Sequence, residues 1–250
     1  MKHVVKNQQK VSLIFPFESR VQTIKEIKKI HQAFSKTNRL LEIICVLDSN
    51  LKKTAAKIFP KDPAPVKLLF YPLKRFGKGF ALCYGFKHSS GDFIFFWEGN
   101  FSISARELFL YLDLMNLVKA DIVVGSKRHQ LSSVFYSRRR RFYSTVYQLL
   151  VKFLFGFNLS DTQVGLKLYR RFVLEEVIPR IVIKNWAFDL ELLVVAYYLG
   201  FNRIIEAPIE INKTFTSGKP SLENTGNLLR DTLAIFYRQK ILRYYDQKFT

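Results

Sequence analysis

Acidic residues, cysteine, histidine and long apolar runs are all scarce in this chain of 250 residues. Twenty Asp and Glu face forty Lys and Arg, a formal net charge of +20, so an anionic partner is expected: nucleic acid, phospholipid or a phosphorylated small molecule. The two cysteines, Cys45 and Cys83, each sit in an apolar run. A disulfide framework is thereby excluded, and inert core thiols in a reducing compartment are expected. His3, His31, His88 and His129 are scattered without ligand spacing, which argues against a histidine metal site. The longest apolar segment, Val146 to Phe157, is interrupted by Gln148 and Lys152. It falls short of the roughly 20 residues a spanning helix needs. Near the start, Val11-Ser-Leu-Ile-Phe15 is stopped by Pro16 and is too short for a signal-peptide core, so a cytoplasmic location is expected.

Several catalytic signatures are missing as well. The chain has no Gly-x-x-x-x-Gly-Lys-Ser/Thr, His-Glu-x-x-His, Gly-x-Ser-x-Gly or Cys-x-x-Cys. Gly77-Lys78-Gly79 is its one Gly-rich turn and lacks the third glycine of a dinucleotide fingerprint.

What the chain does have is 48% hydrophobic residues, ample for a sizeable core. Short β-branched or aromatic runs alternate with helix-period stretches through the first 125 residues, the pattern of a parallel sheet built from βαβ units. Strands are expected at Val11–Phe15, Leu41–Leu47, Val66–Tyr71, Phe93–Trp97 and Asp121–Gly125, with amphipathic helices at Arg20–Phe34, Gly77–Ser89 and Ser104–Val118. Ser104-x-x-Glu107 reads as a capping box. No internal repeat, low-complexity tract or linker interrupts the chain, so one domain over 1–250 is expected. Ligands of such a sheet bind at the carboxyl ends of its strands.

Beyond residue 125 the texture changes. Arg138-Arg-Arg-Arg141 precedes a helical pattern with Val146, Leu149, Leu150, Phe153, Leu154 and Phe157 along one face. That combination suits a helix in a membrane interface, and it equally suits a core helix after a solvated charge run. Arg230, Arg238, Lys240 and Arg243 make a second basic stretch near the C-terminus. A nucleic-acid patch using Phe and Tyr as stacking groups is a competing reading, although the aromatics fall mostly at core periodicities.

The order of the remaining fragments is more specific. Val11-Ser-Leu-Ile-Phe-Pro16, Glu42-Ile-Ile-Cys-Val-Leu-Asp48, Gly77-Lys-Gly-Phe-Ala81, Gly91-Asp-Phe-Ile-Phe-Phe-Trp-Glu-Gly-Asn100 and Gly125-Ser-Lys127 resemble the nucleotide-sugar half of family 2 glycosyltransferases. Arg140-x-x-x-Ser144, Ser160-Asp-Thr-Gln-Val-Gly-Leu-Lys167, Tyr169-Arg170 and Trp186-Ala-Phe-Asp-Leu-Glu-Leu-Leu193 are similar to the dolichyl-phosphate glucose and mannose synthase branch.

The resemblance implies a GT-A fold, a Rossmann-like, mostly parallel α/β sheet with flanking helices and a basic amphipathic membrane-facing segment. Residues 11–127 would form the nucleotide-sugar half, 128–215 the acceptor half and 216–250 a basic tail. It implies an inverting hexosyltransferase, peripheral on the cytosolic face of an anionic membrane. The donor would be UDP-glucose or GDP-mannose, the acceptor dolichyl or another polyprenyl phosphate, and a membrane-anchored protein partner stays open. Glu98 and Asn100 would hold Mg²⁺ or Mn²⁺ and, with Asp161, form the catalytic set. Pro16, Phe17, Glu18, Asp48 and Lys78 would bind the nucleotide sugar. Lys127, Arg140, Ser144, Lys167 and Asp189 would serve the acceptor phosphate.

Departures from the family pattern gather in the donor half. Asp-x-Asp is replaced by Glu98-Gly99-Asn100, which removes one formal negative charge from the metal loop. Pro-Ala-Tyr-Asn-Glu reads Pro16-Phe17-Glu18-Ser19-Arg20, and the usual Asp-Asp is Leu47-Asp48. Lys127 stands where the pattern has arginine, keeping the charge and losing the planar fork. A transferase with altered metal or nucleotide dependence fits these changes, and so does a transferase fold that survives as a lipid-phosphate- or partner-binding protein.

Overall fold

A computed structural model of the chain describes residues 9–17, 21–51, 66–71, 77–99, 101–134, 138–211 and 222–247. All five strands expected in the first half form, within one residue at either end: β1 (Lys10–Pro16), β2 (Leu40–Asp48), β3 (Val66–Tyr71), β4 (Phe93–Trp97) and β5 (Ile122–Ser126). The helices between them are α1 (Val21–Phe34), α2 (Lys78–Lys87) and α3 (Ala105–Leu117). Ser104 caps α3 as expected, its hydroxyl accepting from the Glu107 N–H at 3.2 Å while the Glu107 carboxylate accepts from the Ser104 N–H at 2.7 Å.

The second half adds β6 (Ser133–Val134), α4 (Arg138–Phe155), β7 (Leu166–Arg170), α5 (Arg171–Val177), α6 (Phe188–Tyr198), β8 (Ile204–Pro208), β9 (Glu210–Ile211) and α7 (Leu222–Lys240). Its strands enter the same sheet as those of the first half. The order is β3-β2-β1-β4-β7-β5-β8, with β6 and β9 paired separately. Strand β7 runs antiparallel to both neighbours, β4 and β5, and the other pairings in the large sheet are parallel. Helices cover both faces, which explains why β4, Phe-Ile-Phe-Phe-Trp, is apolar throughout and buried at every position.

Side chains alternate across the pleat into two cores. Ile94, Phe96 and Tyr169 pack with α2 and α6 on one face, and Phe95, Trp97 and Leu168 pack with α1 and α3 on the other. The apolar stripe expected on α4 divides. Val146, Leu149 and Phe153 are exposed, Leu150 and Leu154 are half-buried, and Phe157 lies beyond the helix in the core. Val151 and Phe155 carry the buried face instead.

Candidate active site

Strand order reverses between β1 and β4, and the loops after β1, β2 and β4 leave the sheet on the same edge. Asp48 closes β2, and its Oδ1 accepts from the Asn50 N–H at 2.8 Å, capping the turn Ser49–Leu51. Pro16 ends β1, while the Phe17 ring is buried in the core, so its contribution to a nucleotide pocket is confined to the backbone. Glu18 lies outside the described residues. Beyond β4, Trp97 donates from Nε1 to the Phe101 carbonyl at 3.0 Å, and the Glu98 N–H donates to the Gly165 carbonyl at 2.8 Å. Both bonds fix the turn that carries Glu98. Asn100 lies outside the described residues.

Four separate segments meet around two ammonium groups. Lys78 Nζ contacts Glu98 Oε1 and Asp189 Oδ2, and Lys167 Nζ meets the other Asp189 oxygen at 2.7 Å. Lys78 begins α2, Glu98 follows β4, Lys167 lies on β7 and Asp189 sits in the first turn of α6.

The glycines explain how the chain achieves this. At Gly79 a Cβ would lie 2.6 Å from the Phe188 ring and 2.9 Å from Lys184 Cα, so only glycine lets α2 press against the start of α6. There the Gly79 N–H donates to the Lys184 carbonyl at 3.0 Å. At Gly165 a Cβ would lie 2.4 Å from the Glu98 carboxyl carbon, so the glycine makes the space that Glu98 fills.

Burial disfavours charge on Asp189 and Lys78, and their pairing reverses that. Burial would raise the Asp189 carboxyl, yet Lys167 and Lys78 hold it at about 2. Burial would lower the Lys78 ammonium, yet Asp189 and Glu98 push it above its ordinary value. Lys78 keeps 23% of its side chain exposed and Glu98 16%, whereas Lys167 keeps 1%. Lys167 is therefore a buried counter-ion to Asp189.

A second cluster follows β5. The Asp161 carboxylate accepts from the Lys127 N–H at 3.2 Å and the Gln163 N–H at 3.1 Å, and pairs with Lys127 Nζ at 3.4 Å. Asp161 thus holds the loop and the lysine in place. Sequence reasoning missed two members of this group. Arg128 Nη2 donates to Ser144 Oγ at 3.2 Å and to Thr145 Oγ1 at 3.0 Å, reaching α4 from the loop after β5. Glu206 accepts from the Ser160 and Asp161 N–H groups, each at 3.0 Å. The signal for Arg128 was its place directly after Lys127 in Gly-Ser-Lys-Arg, while Glu206 had none. The Arg140 side chain lies outside the described residues, although its backbone belongs to α4.

Register relates the two clusters. Lys167 pairs with Phe96 on one side and Val124 on the other, so the loops carrying Glu98 and Lys127 flank β7 about 10 Å apart, two strand spacings.

The described residues do not fit a divalent cation. No three Asp, Glu, His or Cys among them gather to hold one, and Lys78 already occupies the Glu98 carboxylate. Hard divalent ions need six or more oxygens, mostly anionic or water-borne, at close range.

Comparisons with known proteins bear on this geometry. The model of the family described as "Glycosyl transferase family 2" matches residues 14–178. A dolichyl-phosphate beta-glucosyltransferase of Trichomonas vaginalis is 30% identical over 181 residues, 69% of this chain and 53% of the relative. One from Dictyostelium discoideum is 27% identical over 203 residues, 77% of this chain and 61% of the relative. The chain thus spans roughly half to two thirds of the length of these curated relatives. Among solved structures, glucosyl-3-phosphoglycerate synthase from Mycobacterium tuberculosis, in complex with Mn²⁺, UDP and phosphoglyceric acid, superposes with a TM-score of 0.67 at 16% identity. That superposition covers 92% of this chain and 78% of the other. Mannosyl-3-phosphoglycerate synthase from Rubrobacter xylanophilus gives 0.66 at 15%, covering 93% and 75%. At such identities the likeness shows the shared GT-A fold.

Proposed function

The chain belongs to glycosyl transferase family 2, and from that premise we propose that it moves a hexose, with inversion, from a nucleotide sugar to dolichyl or another polyprenyl phosphate. The observation that carries this reading is the placing of two cationic groups on one sheet edge. Lys78, between Glu98 and Asp189, stands beside the strand-order switch, and Lys127 with Arg128 stands across β7. A donor diphosphate at the first and an acceptor phosphate at the second would put the sugar between them. The glucosyl identity and the dolichyl acceptor are supported by the names of the relatives, and UDP by the complex with the Mycobacterium tuberculosis protein.

The chemistry asks little of a general base. An acceptor phosphate is ionised near neutral pH, so its oxygen attacks the anomeric carbon directly as the bond from that carbon to the diphosphate breaks. Charge grows on the leaving diphosphate, and a fixed ammonium aimed at it lowers the barrier. Lys127 and Arg128 would hold the acceptor, Arg128 presenting a fork that Lys127 lacks. Asp161 acts by positioning Lys127. Asp48 would meet the nucleoside.

Membrane association at the cytosolic face, in a single domain spanning the chain, completes the proposal. No helix of the described residues is long and apolar enough to cross a membrane. Helices α4 and α7 pack together through Tyr147 with Thr232 at 3.0 Å, and both leave apolar side chains exposed, including Tyr143, Leu149 and Phe153 on the first and Leu229, Leu233 and Tyr237 on the second. Such surface on a strongly basic chain suits an anionic lipid interface.

The test is transfer of labelled sugar from UDP-glucose and, separately, GDP-mannose to dolichyl phosphate in detergent. Label in the lipid phase from one donor is expected. Folded protein that transfers from neither overturns the catalytic reading and leaves a binding protein on a transferase fold.

A further inference from the structure

We propose that this chain binds its donor diphosphate without a divalent cation, the Lys78 ammonium standing at Glu98 in place of a metal. The inference rests on the donor-site reading above and concerns how that site neutralises charge.

The first argument is occupancy by design. Lys78 contacts Glu98 and Asp189 at once; the close approach at Gly79 fixes α2 against the start of α6, and Gly165 leaves the space that the Glu98 side chain fills. A metal bound to Glu98 would have to displace an ammonium held by two carboxylates.

The second argument is charge. Glu98 and Asp189 contribute two negative charges, and Lys78 and Lys167 two positive ones, so the cluster is already neutral. Before the diphosphate arrives, a dication would therefore meet no net negative charge among these four groups, and they would not hold it in a largely buried site. Replacement of the usual second carboxylate by Asn100 goes the same way, since it removes the charge a metal would need.

The third argument is donor geometry. An ammonium carries three N–H groups. One is donated to Glu98, the ammonium also pairs with Asp189, and the side chain is still 23% exposed, which gives a phosphate oxygen access to it. Lysine serves phosphate as a point charge and needs no exact coordination shell.

Calorimetry with UDP and with GDP, in EDTA and in excess MnCl₂, tests this on the wild-type chain. The affinity for the preferred nucleotide is expected to agree within about threefold between the two conditions. Lys78→Ala is expected to weaken binding about tenfold or more in EDTA, the loss of one charge-assisted hydrogen bond, and Mn²⁺ is expected to restore part of it at the Glu98 carboxylate, which has lost its ammonium. Should that variant not fold, the wild-type pair of titrations decides alone. Tightening by Mn²⁺ of more than about threefold on the wild type overturns the proposal and leaves the donor site standing. Binding of neither nucleotide in either condition overturns the donor-site reading, and this proposal with it.

Discussion

Asp189 shows how much a single carboxylate organises. It lies between Lys78 and Lys167, and the second of these is almost wholly buried. Asp189→Asn would leave the Lys167 ammonium facing a neutral amide, and removing one partner of a buried pair costs about 3–5 kcal/mol. Because the native carboxyl is held at about 2, below its ordinary 3.8, its stabilisation is complete above the unfolded value and is lost as pH falls through the folded one. The stability gap between wild type and Asp189→Asn is therefore expected to be full at neutral pH and to narrow below about pH 4, read by chemical denaturation at several pH values. Gly165→Ala separates site from scaffold in the opposite way. Its new Cβ would strike the end of the flexible Glu98 side chain, so thermal stability is expected to change little while UDP affinity falls several-fold. At this scale Lys78, Glu98, Lys127 and Asp189 could be nominated from the sequence. Their partners could not, because Asp189–Lys78 and Arg128–Ser144 join residues far apart in the chain, and spacing carries no signal for such contacts.

Among the elements, local physics was legible and pairing was not. Parallel strands buried on both faces announce themselves as continuous apolar runs, and a Ser-x-x-Glu box marks a helix start whatever lies around it. Nothing in Leu166–Arg170 says that it enters between β4 and β5 with reversed direction, since that depends on where the rest of the chain has already been placed. Helix α4 shows the same limit. Its periodicity announced an amphipathic helix, but two apolar faces compete, and packing into the core beside α7 chose Val151 and Phe155 while leaving Phe153 86% and Leu149 62% exposed. These exposed groups make the membrane proposal testable. Changing Phe142, Leu149 and Phe153 together to Ser removes no core contact, so melting is expected to stay within a few degrees. Partitioning onto vesicles of anionic phospholipid is expected to fall at least tenfold, given about 1.5–3 kcal/mol for each large apolar side chain fully buried. Unchanged partitioning would remove this face from the account.

For the molecule as a whole, the excess of cations and the interleaved sheet belong to one design. Strand β7, from the second half, closes the gap between β4 and β5 from the first, so donor-side Glu98 and acceptor-side Lys127 are carried by the same rigid sheet. Both anionic substrates would then meet fixed positive charge a strand or two apart, with no domain closure needed to bring them together. The most direct test of this account is extraction of lipid-linked label after the chain, bound to vesicles containing dolichyl phosphate, is given UDP-[¹⁴C]glucose. Label in the organic phase that appears with wild type and drops at least tenfold with Lys78→Ala is the result the account requires. UDP bound by wild type with no lipid-linked label from UDP-glucose or GDP-mannose would contradict it.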